Sequence, residues 1–102
     1  MTAARFGLSA EDISKLCRVF ERYTQVKQVI IYGSRAKGQF HRGSDIDLTL
    51  IGDLDWPTFN QLERELDDLL LPYSIDLSLY EQIENPELQA HIERVGQVLF
   101  AR

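Results

Sequence analysis

The chain has 102 residues, 44% of them hydrophobic and 26% charged, the mix of one globular domain over 1–102 rather than two. Sixteen acidic residues against eleven basic ones give a net charge of −5, which argues against general nucleic-acid binding, an affinity supplied by cations meeting phosphates. With no apolar run near the roughly 18 residues of a membrane span, no apolar leader and a single cysteine, Cys17, the expectation is a cytoplasmic protein. A membrane role, an internal disulfide and a cysteine zinc cluster are excluded on the same grounds.

Ser9 opens the first predicted helix, and Asp12 three residues on makes an acidic variant of the capping box. Ile13, Leu16, Cys17, Phe20 and Tyr23 follow at helical spacing on one face, so Cys17 reads as a small buried side chain. Val26 to Tyr32 is a predicted strand whose Val-Ile-Ile-Tyr end is apolar enough to be buried on both faces. Gly33-Ser34 breaks it, and the polar segment Arg35 to Ser44 has room for one helical turn near Ser34–Lys37. Asp45 to Ile51 alternates cleanly: Ile46, Leu48 and Leu50 on one face, Asp45, Asp47 and Thr49 on the other.

After the turn Gly52-Asp53-Leu54-Asp55, a helix starts at Asp55 or Trp56-Pro57 and carries Phe59, Leu62, Leu66, Leu69 and Leu70 on one face. Pro72 ends it. Ser74 to Tyr80 is a third alternating strand, with Ile75, Leu77 and Leu79 opposed to Asp76 and Ser78. Asn85-Pro86 caps and opens a helix through Leu88, Ile92 and Val95, which Gly96 closes. Val98-Leu99-Phe100 is left as a short edge strand. The class is α/β or α+β: a small mixed sheet with helices packed on one face.

The chemistry concentrates at three places. Asp45 and Asp47 leave one face of a strand about 6.6 Å apart, and Asp76 has the same facing on another strand. Three carboxylates on one face raise each other's pKa and oppose folding unless a cation or protons intervene. Oxygen donors without nearby Cys or His suit Mg²⁺ or Mn²⁺. The Gly33-Ser34 turn adds backbone N–H groups and a hydroxyl suited to phosphates. Metal, phosphate cradle and a spare carboxylate are what nucleotidyl transfer requires.

Other motifs fail. Gly33 to Gly38 imitates a phosphate-binding loop, but Gln39-Phe40 replace its Lys and Ser/Thr. Asp45-x-Asp47-x-Thr49 starts like a calcium loop, but Leu50 replaces its glycine and Trp56 its closing glutamate. Arg35, Lys37 and Arg42 flank the glycine turn, as cations for a triphosphate or as solvated loop charges. His41 reads as a loop residue, Trp56 as a lid over the core, and His91 has no partner in the pattern.

Ile-Ile-Tyr-Gly33-Ser34-Arg35-Ala36-Lys37-Gly38 followed by Ser44-Asp45-Ile46-Asp47-Leu48 resembles the signature of the minimal nucleotidyltransferases of the DNA polymerase β superfamily, often the antitoxins of HEPN/MNT toxin–antitoxin pairs. The resemblance covers nearly the whole chain in element order and implies the nucleotidyltransferase fold. It implies catalytic and metal-holding roles for Asp45 and Asp47, with Asp76 third by strand position. It implies nucleotide binding at Gly33, Ser34, Arg35, Lys37 and Ser44. The linker Gln39-Phe40-His41-Arg42-Gly43 departs from the commoner Arg- and Pro-rich versions.

The activity so implied is Mg²⁺- or Mn²⁺-dependent transfer of a nucleoside monophosphate, AMP from ATP, onto a hydroxyl. A chain that is nearly all catalytic core lacks a wall for the acceptor. A HEPN-domain protein or a second copy in a homo-oligomer would provide it, with Ser9–Tyr23 and Thr58–Leu71 as the surfaces offered. The rival expectation is an antitoxin or nucleotide-binding module that acts by contact alone.

Overall fold

The computed structural model describes residues 3–102, so the first two residues of the single expected domain lie outside it. Three helices and four strands follow the predicted order: α1 (Ala10–Glu21), β1 (Val26–Tyr32), β2 (Ile46–Gly52), α2 (Trp56–Asp67), β3 (Ile75–Leu79), α3 (Pro86–Val95) and β4 (Gln97–Ala101). A 3₁₀ turn, Tyr80–Gln82, follows β3. The strands form one mixed sheet in the order β3-β2-β1-β4. Only β2 and β3 run parallel, because α2 carries the chain back between them; the other pairs are antiparallel.

Each helix begins where its cap predicts. Ser9 accepts from the Asp12 amide at 3.0 Å, Asp55 from Thr58 at 2.9 Å and Asn85 from Glu87 at 2.9 Å. Helix α2 stops earlier than expected, at Asp67, and leaves Leu69 and Leu70 beyond it. Pro72 bars its preceding residue from helical geometry, so the chain unwinds ahead of it. Leu70 takes a left-handed φ of 54° and is exposed.

Helices α1 and α2 cover one face of the sheet, as expected. Leu16, Phe20, Leu62 and Leu66 meet Val29, Ile31, Leu48 and Leu50 there, all buried. Cys17 lies at the margin of this layer, its Sγ 3.8 Å from the Leu99 carbonyl, and burial pushes its thiol pKa up, away from reactivity. Helix α3 departs from the expected packing of all helices on one face. It crosses the opposite face, where Gly96 brings the helix end against Ile30 and His91 meets Tyr32 edge-on at 6.3 Å.

Beyond β4, Arg102 folds back across the end of α1. It donates to the carbonyls of Val26, Phe20, Glu21 and Tyr23, and so ties the end of α1 to the start of β1.

Candidate active site

The second face of the sheet carries the polar residues of β2 and β3 in pairs. Asp47 stands in register with Asp76, and Thr49 with Ser78 two residues further on. Neighbouring strands lie about 4.8 Å apart, so each pair shares one patch of surface. The lower pair is closed: Ser78 Oγ donates to Thr49 Oγ1 at 3.0 Å, and Thr49 is fully buried. The upper pair is open to solvent at Asp76 and half-buried at Asp47. Asp45 is exposed at the entry to β2.

Asp47 is also where the two sequence motifs meet. Gly33 has φ +77°, and a Cβ built on it would strike Asp47 Oδ2. The carboxylate therefore rests against the backbone of the Gly33-Ser34 turn, at a spot only glycine leaves free. Burial holds the Asp47 carboxyl above the usual carboxylate range, and Asp76 and Asp45 push it the same way, while His91 opposes them. Burial likewise raises the Tyr32 phenol beside it. His91 is a residue the sequence pattern did not assign, and α3's choice of face brings it here.

The loop after Gly33 makes the single expected turn, with Lys37 N donating to Gly33 O at 3.2 Å and Gln39 N to Ser34 O at 2.9 Å. No hydrogen bond among the described residues uses the Ser34, Arg35 or Ala36 amide. Three successive free N–H groups on a turn beside a carboxylate have the donor chemistry that phosphate oxygens accept from.

Two of the residues read as nucleotide contacts are spent inside the protein. Arg35 is only 2% exposed: its Nε and Nη2 donate to the Ser44 carbonyl at 3.1 and 2.8 Å, and its Nη1 to the Phe6 carbonyl at 2.9 Å. The guanidinium lies over the rings of Tyr73 and Phe40, 4.7 and 5.4 Å from their centroids. Ser44 is buried as well, and its Oγ accepts from the His41 amide at 2.9 Å. Both side chains are held by contacts within the protein. Lys37 and Arg42 remain exposed on the loop. Trp56, read as a lid, is half-exposed and packs edge-on against buried Phe59 at 5.5 Å.

Among the described residues no set of three or more His, Cys, Asp or Glu side chains closes to metal-binding distance, so the expected triad of Asp45, Asp47 and Asp76 is not a finished shell. In kind the donors fit a hard divalent cation: oxygen only, mutually repelling, one of them with its pKa raised by burial and by its acidic neighbours.

A turn with free amides in contact with a strand carboxylate, on a sheet of this topology, fits a nucleotidyltransferase. Residues 14–102 match the family described as Polymerase beta, Nucleotidyltransferase, and the chain belongs to that family. A protein of Methanocaldococcus jannaschii, provisionally named a protein adenylyltransferase, is 33% identical over 83 residues, 74% of this chain and 80% of that one. Among solved structures, a toxin–antitoxin with AMP-PNP superposes with a TM-score of 0.67 at 24% identity, covering 90% of this chain and 73% of the other. The MNT antitoxin complexed with the tri-AMPylated HEPN toxin of Shewanella oneidensis gives 0.66 at 17% identity, over 90% and 71%. At these identities the likeness is one of fold. No helix among the described residues is long and apolar enough to cross a membrane.

Proposed function

We propose that this nucleotidyltransferase moves AMP from ATP onto a side-chain hydroxyl of a HEPN-type helical partner in the cytoplasm, and so silences it. The observation that carries this reading is the Asp47 carboxylate lodged against Gly33, with Asp76 in register beside it. Relatives that bind AMP-PNP or accompany an AMPylated toxin support the choice of nucleotide and acceptor.

The free amides of Ser34 to Ala36 would bind the β and γ phosphates, with Lys37 and Arg42 adding positive charge at the loop surface. Asp45 and Asp47, with Asp76, would hold Mg²⁺ or Mn²⁺. When bound, the ion would supply charge neutralisation for the triphosphate and for the carboxylates. Asp76, exposed at the sheet edge, is free to take the proton of the attacking hydroxyl. The α-phosphorus–oxygen bond to pyrophosphate breaks as the bond to the acceptor oxygen forms. An adenylyl group on the partner adds negative charge and bulk where RNA phosphates would bind.

Incubation with α-labelled ATP, Mg²⁺ and a HEPN partner tests the reading. Label on the partner, lost with Asp47→Asn, is the expected result. A tight complex with no label on either protein would make the chain an antitoxin by contact alone.

A further inference from the structure

The segment before α1 makes contacts that its position in the sequence does not explain. Arg5 and Leu8 exchange backbone hydrogen bonds of 3.1 and 2.8 Å around Phe6 and Gly7, whose φ values are 60° and 72°. Two successive positive φ values are the mark of a type I′ turn, costly for a bulky residue such as Phe6. Leu8 anchors the turn in the core at 2% exposure. The turn presents the Phe6 carbonyl to Arg35 and sets Gly7 against the Phe40 ring so closely that a Cβ at Gly7 would overlap it.

From Arg35 the contacts run straight into the site. The same guanidinium that reads Phe6 holds the Ser44 carbonyl through two bonds, and Ser44 is joined to Asp45. Its backbone belongs to the Gly33–Gly38 turn that carries the free amides. One buried side chain thus couples the phosphate turn to the first carboxylate, and the turn at 5–8 fixes that side chain. This turn lies ahead of residues 14–102, the part shared with the family.

We infer that the Arg5–Leu8 turn is a positioning element of the active site, acting through Arg35 and Phe40 on the spacing between the Ser34 cradle and Asp45. The inference rests on the nucleotidyl-transfer reading for its kinetic consequence. The reason is geometric: displacing a reacting group by about 1 Å costs on the order of a hundredfold in rate. Phe6–Gly7 holds a strained backbone shape, kept in place by these contacts and by the Phe6 ring packing against the core.

The experiment compares wild type with Gly7→Ala, Phe40→Ala and the double variant. Gly7→Ala forces the Phe40 ring off its seat. Phe40 is more than a third exposed, so removing its ring leaves the core whole and carries the test if Gly7→Ala does not fold. Amide exchange is read at His41 and Ser44, whose N–H groups close the loop on Ser44 Oγ and His41 O. Each single variant should speed exchange at these two amides about tenfold or more, leaving Leu48 and Leu50 protected. The double variant should add little, since both act through one contact. In the labelled-ATP assay, well below the melting temperature, kcat should fall about tenfold or more while KM for ATP changes less. Arg35→Lys, which keeps the charge but cannot span both carbonyls, should fall in the same way.

Wild-type exchange at His41 and Ser44 in the single variants would overturn the inference, as would faster exchange with kcat unchanged. The exchange measurement needs no nucleotide. A wild type that transfers no label therefore defeats the proposed activity without touching the loop result.

Discussion

Asp47 and Leu48 are chain neighbours on the central strand β2, and they serve opposite ends. Leu48 is wholly buried under α1 and α2, in a layer where almost every side chain is apolar and fully packed. Asp47 looks the other way, into a face where like charges adjoin, a hydrogen-bonded hydroxyl pair lies beneath and α3 covers only part of the surface. Alternation along a strand makes this division possible: one face supplies folding free energy, and the other can hold groups that oppose folding. The carboxylates are tolerable because the apolar face is closed.

The comparison is most sharply tested by substituting the two neighbours. Asp47→Asn should lower AMP transfer by about a thousandfold or more while the chain stays folded, as expected when a group is needed chiefly for the reaction. Leu48→Ala should do the reverse, costing about 2–5 kcal/mol of stability in urea unfolding while transfer by the folded fraction persists. If Asp47→Asn unfolds the chain, or Leu48→Ala abolishes transfer in folded protein, the division between the faces fails.

The boundary between the two regimes lies at Thr49, buried yet polar. Thr49→Val keeps the shape and leaves Ser78 Oγ with only the Leu48 carbonyl at 3.5 Å. A loss of about 1 kcal/mol with transfer intact is expected. A large loss of transfer would extend the reactive region down the strand.

The smallest effect concerns acidity. The folded chain raises the Asp47 pKa above its unfolded value, so ionising Asp47 is harder in the folded state. The resulting penalty is absent in acid, develops as pH rises through the folded pKa and persists at neutral pH. Without divalent cations, Asp47→Asn should melt slightly above wild type at pH 7 and level with it below the carboxylate range. Solvent reaching the site keeps the difference small. Equal melting temperatures at both pH values would show that Asp47 carries no such penalty.

Much of this arrangement was legible in the sequence. Alternation located β2 and β3 and put Asp47 and Asp76 on one facing, and the caps at Ser9, Asp55 and Asn85 fixed where the helices begin. Local pattern reaches no further than one element's own faces. The stripe on α3 states that the helix packs, but not on which side of the sheet, so His91 could not be connected to Asp47. The burial of Arg35 is hidden from the sequence for a related reason. A basic residue in a polar loop looks solvated, and only the convergence of Phe6, Phe40, Ser44 and Tyr73, far apart in sequence, buries it. The leucines after Asp67 continued a helical stripe, and the constraint imposed by Pro72 prevailed over it.

The pairing of β1 has a consequence for how the chain comes together. On one side β1 meets β2, close by in sequence; on the other it meets β4, and Arg102 ties down Val26 across a separation of 76 residues. Closing so long a loop costs entropy that the nearer contacts do not. The β1–β2 pair and the β2–α2–β3 crossover can therefore assemble as an early nucleus, with β4 arriving afterwards as a latch. The carboxylate pair and the Gly33 turn belong wholly to the nucleus, so the reactive surface takes shape before the sheet is complete.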